Sequence, residues 1–311
     1  MDAIAGLLSG PRAERAFTLR MVMAAPWAID VVDEAPLTIA AVVGGHAWVA
    51  LGDAAPVRLG AGQIGIVRGP EPYRMGDAPE TPASITVLPD QRCVDHLGRS
   101  LEEPFMRGVR TWGNDPDGPN IVLVGTYGRL GESGRFLLDA LPTSLVVDAA
   151  DIDLPVVELL ADELARDVPG QSVVLDRLLD LLTVTTLRAW LTEAADDAPG
   201  WWRAASDPIV GPALRLLQHN PEHPWTVGDL GAEVGASRAA LAKRFSALVG
   251  QPPMAFLTEW RLALAADLLL EPGATVEGVA RRVGYSTGFA LSAAFKRVRG
   301  CSPRDHRAAA A

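Results

Sequence analysis

Arg238 and Lys243 lie close together near the C-terminal end of the chain, and Lys296, Arg297, Arg299 and Arg304 form a second basic group further on. Guanidinium and ammonium groups can donate to guanine O6 and N7, whereas Ala239 and Ala242 beside the first pair can only touch a thymine methyl. Where the second group begins, Gly288, Phe289, Ser292 and Ala293 are poor in hydrogen-bonding side chains, so its charges suit phosphates, which position a protein without specifying a sequence. The chemistry these residue types can do is nucleic-acid contact rather than bond breaking.

Both groups sit in copies of one skeleton. Gly235, Phe245, Gly250 and Pro253 recur as Gly284, Phe295, Gly300 and Pro303, and in each copy the Gly lies five residues beyond the Phe and the Pro eight. A repeat of this kind outranks any local motif. Each copy reads as two short helices around a Gly turn, with the second helix carrying the basic residues. The expected helices are Pro208–His219, Thr226–Val234, Ser237–Val249, a longer Pro253–Leu270, Thr275–Val283 and Thr287–Val298. Ser237 is a strong N-cap, because its hydroxyl accepts a free backbone N–H. Leu241 and Phe245 in the first copy, and Leu291 and Phe295 in the second, are expected on the core side. In a helix-turn-helix one helix braces while the next enters the major groove by its N-terminal residues.

The charge is divided accordingly. The 311 residues have a formal charge of −10 and a pI near 5.0, but residues 206–311 carry twelve Lys and Arg against nine Asp and Glu. A basic C-terminal module is therefore joined to an acidic remainder. Two cysteines, Cys93 and Cys301, cannot build a disulfide framework, and the N-terminus lacks the pattern of a secretory signal, so the expected compartment is cytoplasmic. The apolar run Val173–Leu191 is interrupted by Asp176, Arg177, Asp180 and Arg188, which argues against a membrane span.

From about Arg15 to Leu130, short β-branched runs (Leu37–Val43, Ala47–Leu51, Gln63–Val67, Ile85–Leu88, Ile121–Tyr127) alternate with Gly and Pro. They indicate an all-β sandwich or barrel, and the strand, Gly turn and strand of Val57–Val67 resemble a cupin jelly roll. Pro155 opens two helices, the second with a wide apolar stripe through Val174, Leu175, Leu178, Leu179, Leu182, Leu187, Trp190 and Leu191. That stripe can pack on the β region, form a homodimer contact within 155–195, or do both. The polar run Glu193–Gly200 is the expected linker, with Trp201 and Trp202 starting the next packed segment.

The stretch from Pro208 to Arg307 resembles the DNA-binding domain of the AraC/XylS transcription regulators, on Val283-Gly-Tyr-Ser286, Phe289, Leu291, Phe295-Lys296, Gly300 and Pro303. With the cupin-like front, the whole chain is similar to the cupin-bearing branch of that family. The fold class expected is thus α+β multidomain: a cupin-like β-barrel sensor over 1–150, a helical dimerisation segment over 151–200 and an all-α tandem helix-turn-helix domain over 201–311. The resemblance implies groove-facing positions at Arg238, Ala239, Ala242 and Lys243, then Gly288, Phe289, Ser292 and Ala293, flanked by the caps Ser237 and Thr287. It also implies operator DNA, a small-molecule effector and, for an activator, RNA polymerase as partners.

A cupin can instead be a metal enzyme, but no His-x-His pair occurs, and only His46 and His96 fall in the β region. No metal, cofactor or catalytic residue is expected. Trp27, His46, Trp48, Tyr73 and Trp112 are the candidate effector-binding side chains, although alternation cannot say whether His46, Trp48 and Ala50 or Ala47, Val49 and Leu51 face inward. Cys93, next to Arg92, is a candidate redox thiol if that cation lowers its pKa.

Overall fold

Among the described residues, thirteen short strands carry the front of the chain: β1 (Phe17–Met23), β2 (Ala28–Val31), β3 (Leu37–Gly44), β4 (His46–Leu51), β5 (Val57–Gly60), β6 (Gln63–Arg68), β7 (Tyr73–Gly76), β8 (Ile85–Val87), β9 (Cys93–Asp95), β10 (Met106–Gly108), β11 (Thr111–Trp112), β12 (Asn120–Tyr127) and β13 (Ser144–Asp148). They are placed in a computed structural model that describes residues 16–309 apart from 129, 133, 135–137, 139–140, 153 and 194–199. Most of the expected linker at Glu193–Gly200 lies outside the described residues, as do the side chains of Trp201 and Trp202.

The strands form two sheets. One has the order β10-β11-β1-β12-β3-β6-β13 and the other β5-β4-β7-β2-β8-β9. Pairing is antiparallel except at β1–β11 and β2–β8. Between the sheets lies one apolar core, with Met21, Met23, Ile29, Ala40, Val42, Ala47, Val49 and Met75 among its residues. β4 resolves the alternation that the sequence left open: Ala47 and Val49 are buried in that core, while His46, Trp48 and Ala50 stand half-buried on the opposite face.

From Leu37 to Val42, β3 is buried on both faces, which is why it reads as an apolar run interrupted by Thr38 alone rather than as an alternating one. A one-turn helix α1 (Glu102–Phe105) is followed by α2 (Val156–Leu164) and α3 (Gln171–Glu193). Leu175, Leu179, Leu182, Leu187 and Leu191 of α3 are fully buried, each contributing about 1.5–3 kcal/mol relative to exposure, whereas Leu178 and Trp190 are only half-buried and Val174 is exposed, so the buried stripe is narrower than expected. Helix α3 comes so close to β12 that a Cβ at Gly125 would lie 2.2 Å from Leu179 Cδ1. Tyr127 meets Thr183 of α3 hydroxyl to hydroxyl at 2.8 Å. These helices group with the strands in a unit formed by Arg12–Arg129 and Leu141–Glu193, so one face of the stripe packs on the β region.

The second unit contains Leu130–Ala140 and Ala194–Ala311. Its helices are α4 (Gly200–Ser206), α5 (Val210–His219), α6 (Val227–Glu233), α7 (Arg238–Val249), α8 (Pro253–Leu270), α9 (Val276–Arg282), α10 (Gly288–Arg299) and α11 (Pro303–Ala309). The sequence spacing places Phe256, Leu257, Trp260, Leu264 and Leu268 on the apolar side of α8; the first three are buried but Leu264 and Leu268 only partly so, while Leu262, Ala263, Ala265, Ala266 and Leu269 are covered instead. The reason is that α8 packs against helices of both copies, meeting α7 on one side and α9, α10 and α11 on another.

Candidate nucleic-acid interface

Each copy is set by its own local signals. α6 is capped by Thr226, whose hydroxyl accepts from Asp229 N while Asp229 accepts from Thr226 N, a reciprocal capping box. α9 has the simpler cap, Thr275 accepting from Gly278 N at 3.0 Å. Both bracing helices end in the same way. Ala236 N donates to the Gly231 carbonyl and Tyr285 N to the Ala280 carbonyl, both at 2.8 Å, around Gly235 and Gly284 with φ of +69° and +81°. This is the Schellman arrangement, in which a left-handed residue must follow the helix and glycine takes that conformation without strain.

The next helix follows at once in the first copy, where Ser237 accepts from Ala240 N at 3.2 Å. The second copy inserts one more residue, Ser286, before Thr287 accepts from Ala290 N at 3.1 Å. α7 and α10 then run for twelve residues each and stop at left-handed glycines, Gly250 and Gly300. Leu241 and Phe245, like Leu291 and Phe295, are wholly buried.

What the two helices leave outside differs. On α7, Arg238, Ala239 and Lys243 are exposed and Ala242 half-buried; Arg238 and Lys243 have no ion-pair partner among the described residues. Arg244 does have one, donating to Asp207 at 2.7 Å. On α10, Phe289, Ala293, Lys296 and Arg297 are exposed, Ser292 is half-buried and Gly288 is buried. Arg304 is exposed at the start of α11. Arg299 differs from the other basic residues: its guanidinium donates to Glu132 and lies 5.8 Å from the centre of the Phe295 ring. Glu132 lies far away in sequence, and nothing in the local pattern announces the pair.

The β unit holds a cavity of about 60 Å³ between its sheets. Its wall is mostly apolar, including Leu19, Met21, Ile29, Val31, Met75, Val87 and Val124, with Asp33, Tyr73, Gln91 and Thr126 as polar groups. Asp33 accepts from Gln91 Nε2 at 2.9 Å and from Ala35 N at 3.1 Å. Burial pushes the Tyr73 phenol well above its usual pKa, so it remains a donor. Of the five aromatic and His candidates, Tyr73 and Trp112 line the cavity. His46 and Trp48 occupy the other face of β4, with His46 Nε2 donating to the Asp77 carbonyl, and Trp27 is enclosed in the core without lining the space. Met21, Met75, Asp33 and Gln91 are lining residues that the sequence reading did not single out.

Cys93 also faces this cavity, but its environment opposes a reactive thiolate. Burial raises its pKa to about 11, helped by the nearby Glu102 carboxylate. Arg92 is turned to Asp90 instead, so the adjacent cation does not serve the thiol. Among the described residues, no three or more His, Cys, Asp and Glu side chains are grouped to hold a metal ion, and no helix is long and apolar enough to cross a membrane.

A two-sheet β unit in one chain with two capped helix-turn-helix copies defines a DNA-binding transcription regulator. Residues 2–192 match the family described as Cupin, and residues 230–309 match one described as Helix-turn-helix domain. A protein of Streptomyces antibioticus named as an AraC-like transcription regulator is 31% identical over 283 residues, covering 86% of this chain and 92% of that protein. A second, of Streptomyces lividans and named likewise, is 32% identical over 260 residues, covering 81% and 80%. The crystal structure of the DNA-binding domain of AdpA in complex with a target DNA is 34% identical and covers 33% of this chain and 92% of that one, with a TM-score of 0.31. The chain belongs to the AraC-like transcription regulators that carry a cupin domain.

Proposed function

We propose that this regulator reads operator DNA through α7 and α10 and is controlled by a small, mainly apolar effector held between its sheets. Arg238 and Lys243 are the base readers of α7, with Ser237, Ala239 and Ala242 completing its groove face. Thr287, Gly288, Phe289, Ser292 and Ala293 form the corresponding face of α10, and Lys296, Arg297 and Arg304 hold phosphates. Arg299 reaches a phosphate only by giving up Glu132. The observation that carries this reading is the pairing of two independently capped helices whose N-terminal faces remain exposed while their Leu and Phe anchors are fully buried.

For the effector, the support is a cavity with apolar walls and few polar groups, the usual make-up of a ligand site. Dimerisation through 155–195 is supported by apolar side chains left exposed on α2 and α3, among them Leu159, Val173 and Leu181. RNA polymerase is a further partner if the protein activates.

In vitro selection of duplex DNA by the full-length protein tests the central reading. A selected site should contain two short conserved blocks about one helical turn apart; recovery of no sequence above background would overturn it. Sedimentation of the same protein tests the dimer, and a thermal-shift screen of small apolar compounds tests the effector.

A further inference from the structure

Phe289 is 85% exposed, more than any other large apolar side chain among the described residues. It stands in the first turn of α10, where a helix-turn-helix presents its readers. Three polar side chains around it are already engaged. Glu277 Oε2 accepts from Gly288 N at 2.6 Å, Thr287 Oγ1 accepts from Ala290 N at 3.1 Å, and Ser292 Oγ donates to the Gly288 carbonyl at 2.8 Å. What remains outward is Phe289 and then Ala293, one helical turn on and on the same face. Lys296 and Arg297 continue that face and supply charge complementary to a nucleic-acid backbone.

Counted from the caps, Phe289 occupies the place of Ala239 in α7, and Ala293 that of Lys243. The second copy thus puts a large ring where the first has a methyl group, and an apolar Ala where the first puts a cation. The apolar feature of a base-pair edge in the major groove is the thymine C5-methyl. A ring pressed on cytosine N4 or adenine N6 would instead desolvate a donor without replacing its hydrogen bond, which is costly.

We propose that the second copy reads sequence through Phe289, by packing its ring on thymine methyl groups in the major groove while Lys296 and Arg297 hold the neighbouring phosphates. This rests on the reading of α10 as a groove helix. It makes Phe289 a specificity-determining residue and the α10 half-site thymine-selective.

The test uses the full-length protein and its selected operator, with each thymine replaced in turn by deoxyuridine, which removes the methyl and nothing else. One or two replacements in the α10 half-site should weaken binding about fourfold each, the worth of one buried methylene-sized group. The Phe289→Ala protein should lose a similar factor on the natural operator and show no further loss on the deoxyuridine operators. Because the side chain is exposed, this variant should keep its melting temperature, and Phe289→Leu should retain part of the methyl sensitivity. If the wild-type protein is indifferent to every deoxyuridine, or if Phe289→Ala keeps the full sensitivity, thymine reading by Phe289 is wrong although operator binding stands. If no specific operator is bound at all, the groove assignment fails with it.

Discussion

The two helix-turn-helix copies share caps, Schellman turns, Leu and Phe anchors and terminating glycines, yet they expose different chemistry. α7 has its free cations, Arg238 and Lys243, in its first half; α10 has Gly288 and Ala293 at those levels, exposes Phe289 beside them, and gathers Lys296, Arg297 and Arg299 in its second half. The scaffold is duplicated, while the exposed surface is not. Residues that set backbone geometry must be the same in both copies because the geometry is the same, whereas exposed positions answer only to what they touch.

The largest test of this comparison lies in the shared part. Phe245→Ala and Phe295→Ala should each cost about 3–5 kcal/mol in thermal or denaturant unfolding, since both rings are wholly buried and in aromatic contact, with Phe256 and His306 respectively. A much smaller loss in one would mean that the two cores are not equivalent. Next, Lys243→Ala should cost about 1–3 kcal/mol of operator affinity and relax preference at one base pair. Arg297→Ala should instead weaken binding to all sequences and lower the salt slope by about 1. A sequence-selective loss from Arg297→Ala would erase the contrast between the copies.

The smallest effect concerns the caps. Hydrogen bonds from Thr226 hold the Asp229 carboxyl below its usual pKa, so its stabilisation is present above the unfolded value, about 3.9, and is lost as pH falls through the lower folded value. In the first copy, Asp229→Asn should therefore narrow the stability difference between neutral and strongly acidic pH. α9 has Gly278 at the matching place and no such carboxylate to lose. Unfolding curves at the two pH values measure this directly.

The tandem unit was legible because caps and left-handed glycines act within a few residues, so spacing alone reveals them. Pro253–Leu270 is found with the bounds expected, and the flanking helices within two residues. The β unit was legible as strands but not as a site. Alternation in β4 fixes which residues share a face, whereas the partner sheet decides which face is inside, and that choice removed His46 and Trp48 from the cavity wall. Asp33 and Gln91 meet across 58 residues, and Arg299 meets Glu132 across 167. Pairings at such separations depend on the whole chain's path and leave no periodic trace.

The extra residue in the second turn has a practical consequence for anyone wishing to rewrite this protein's target. Ser286 means that the two reading helices are in phase when counted from Ser237 and Thr287, and out of phase when counted from Gly235 and Gly284. A transplant of the α7 face into α10 that was aligned on the glycines would turn every transferred side chain by about 100° around the helix, a single residue's rotation. Aligned on the caps, the same graft would set Arg and Lys at the places of Gly288 and Ala293 and remove the Phe289 ring.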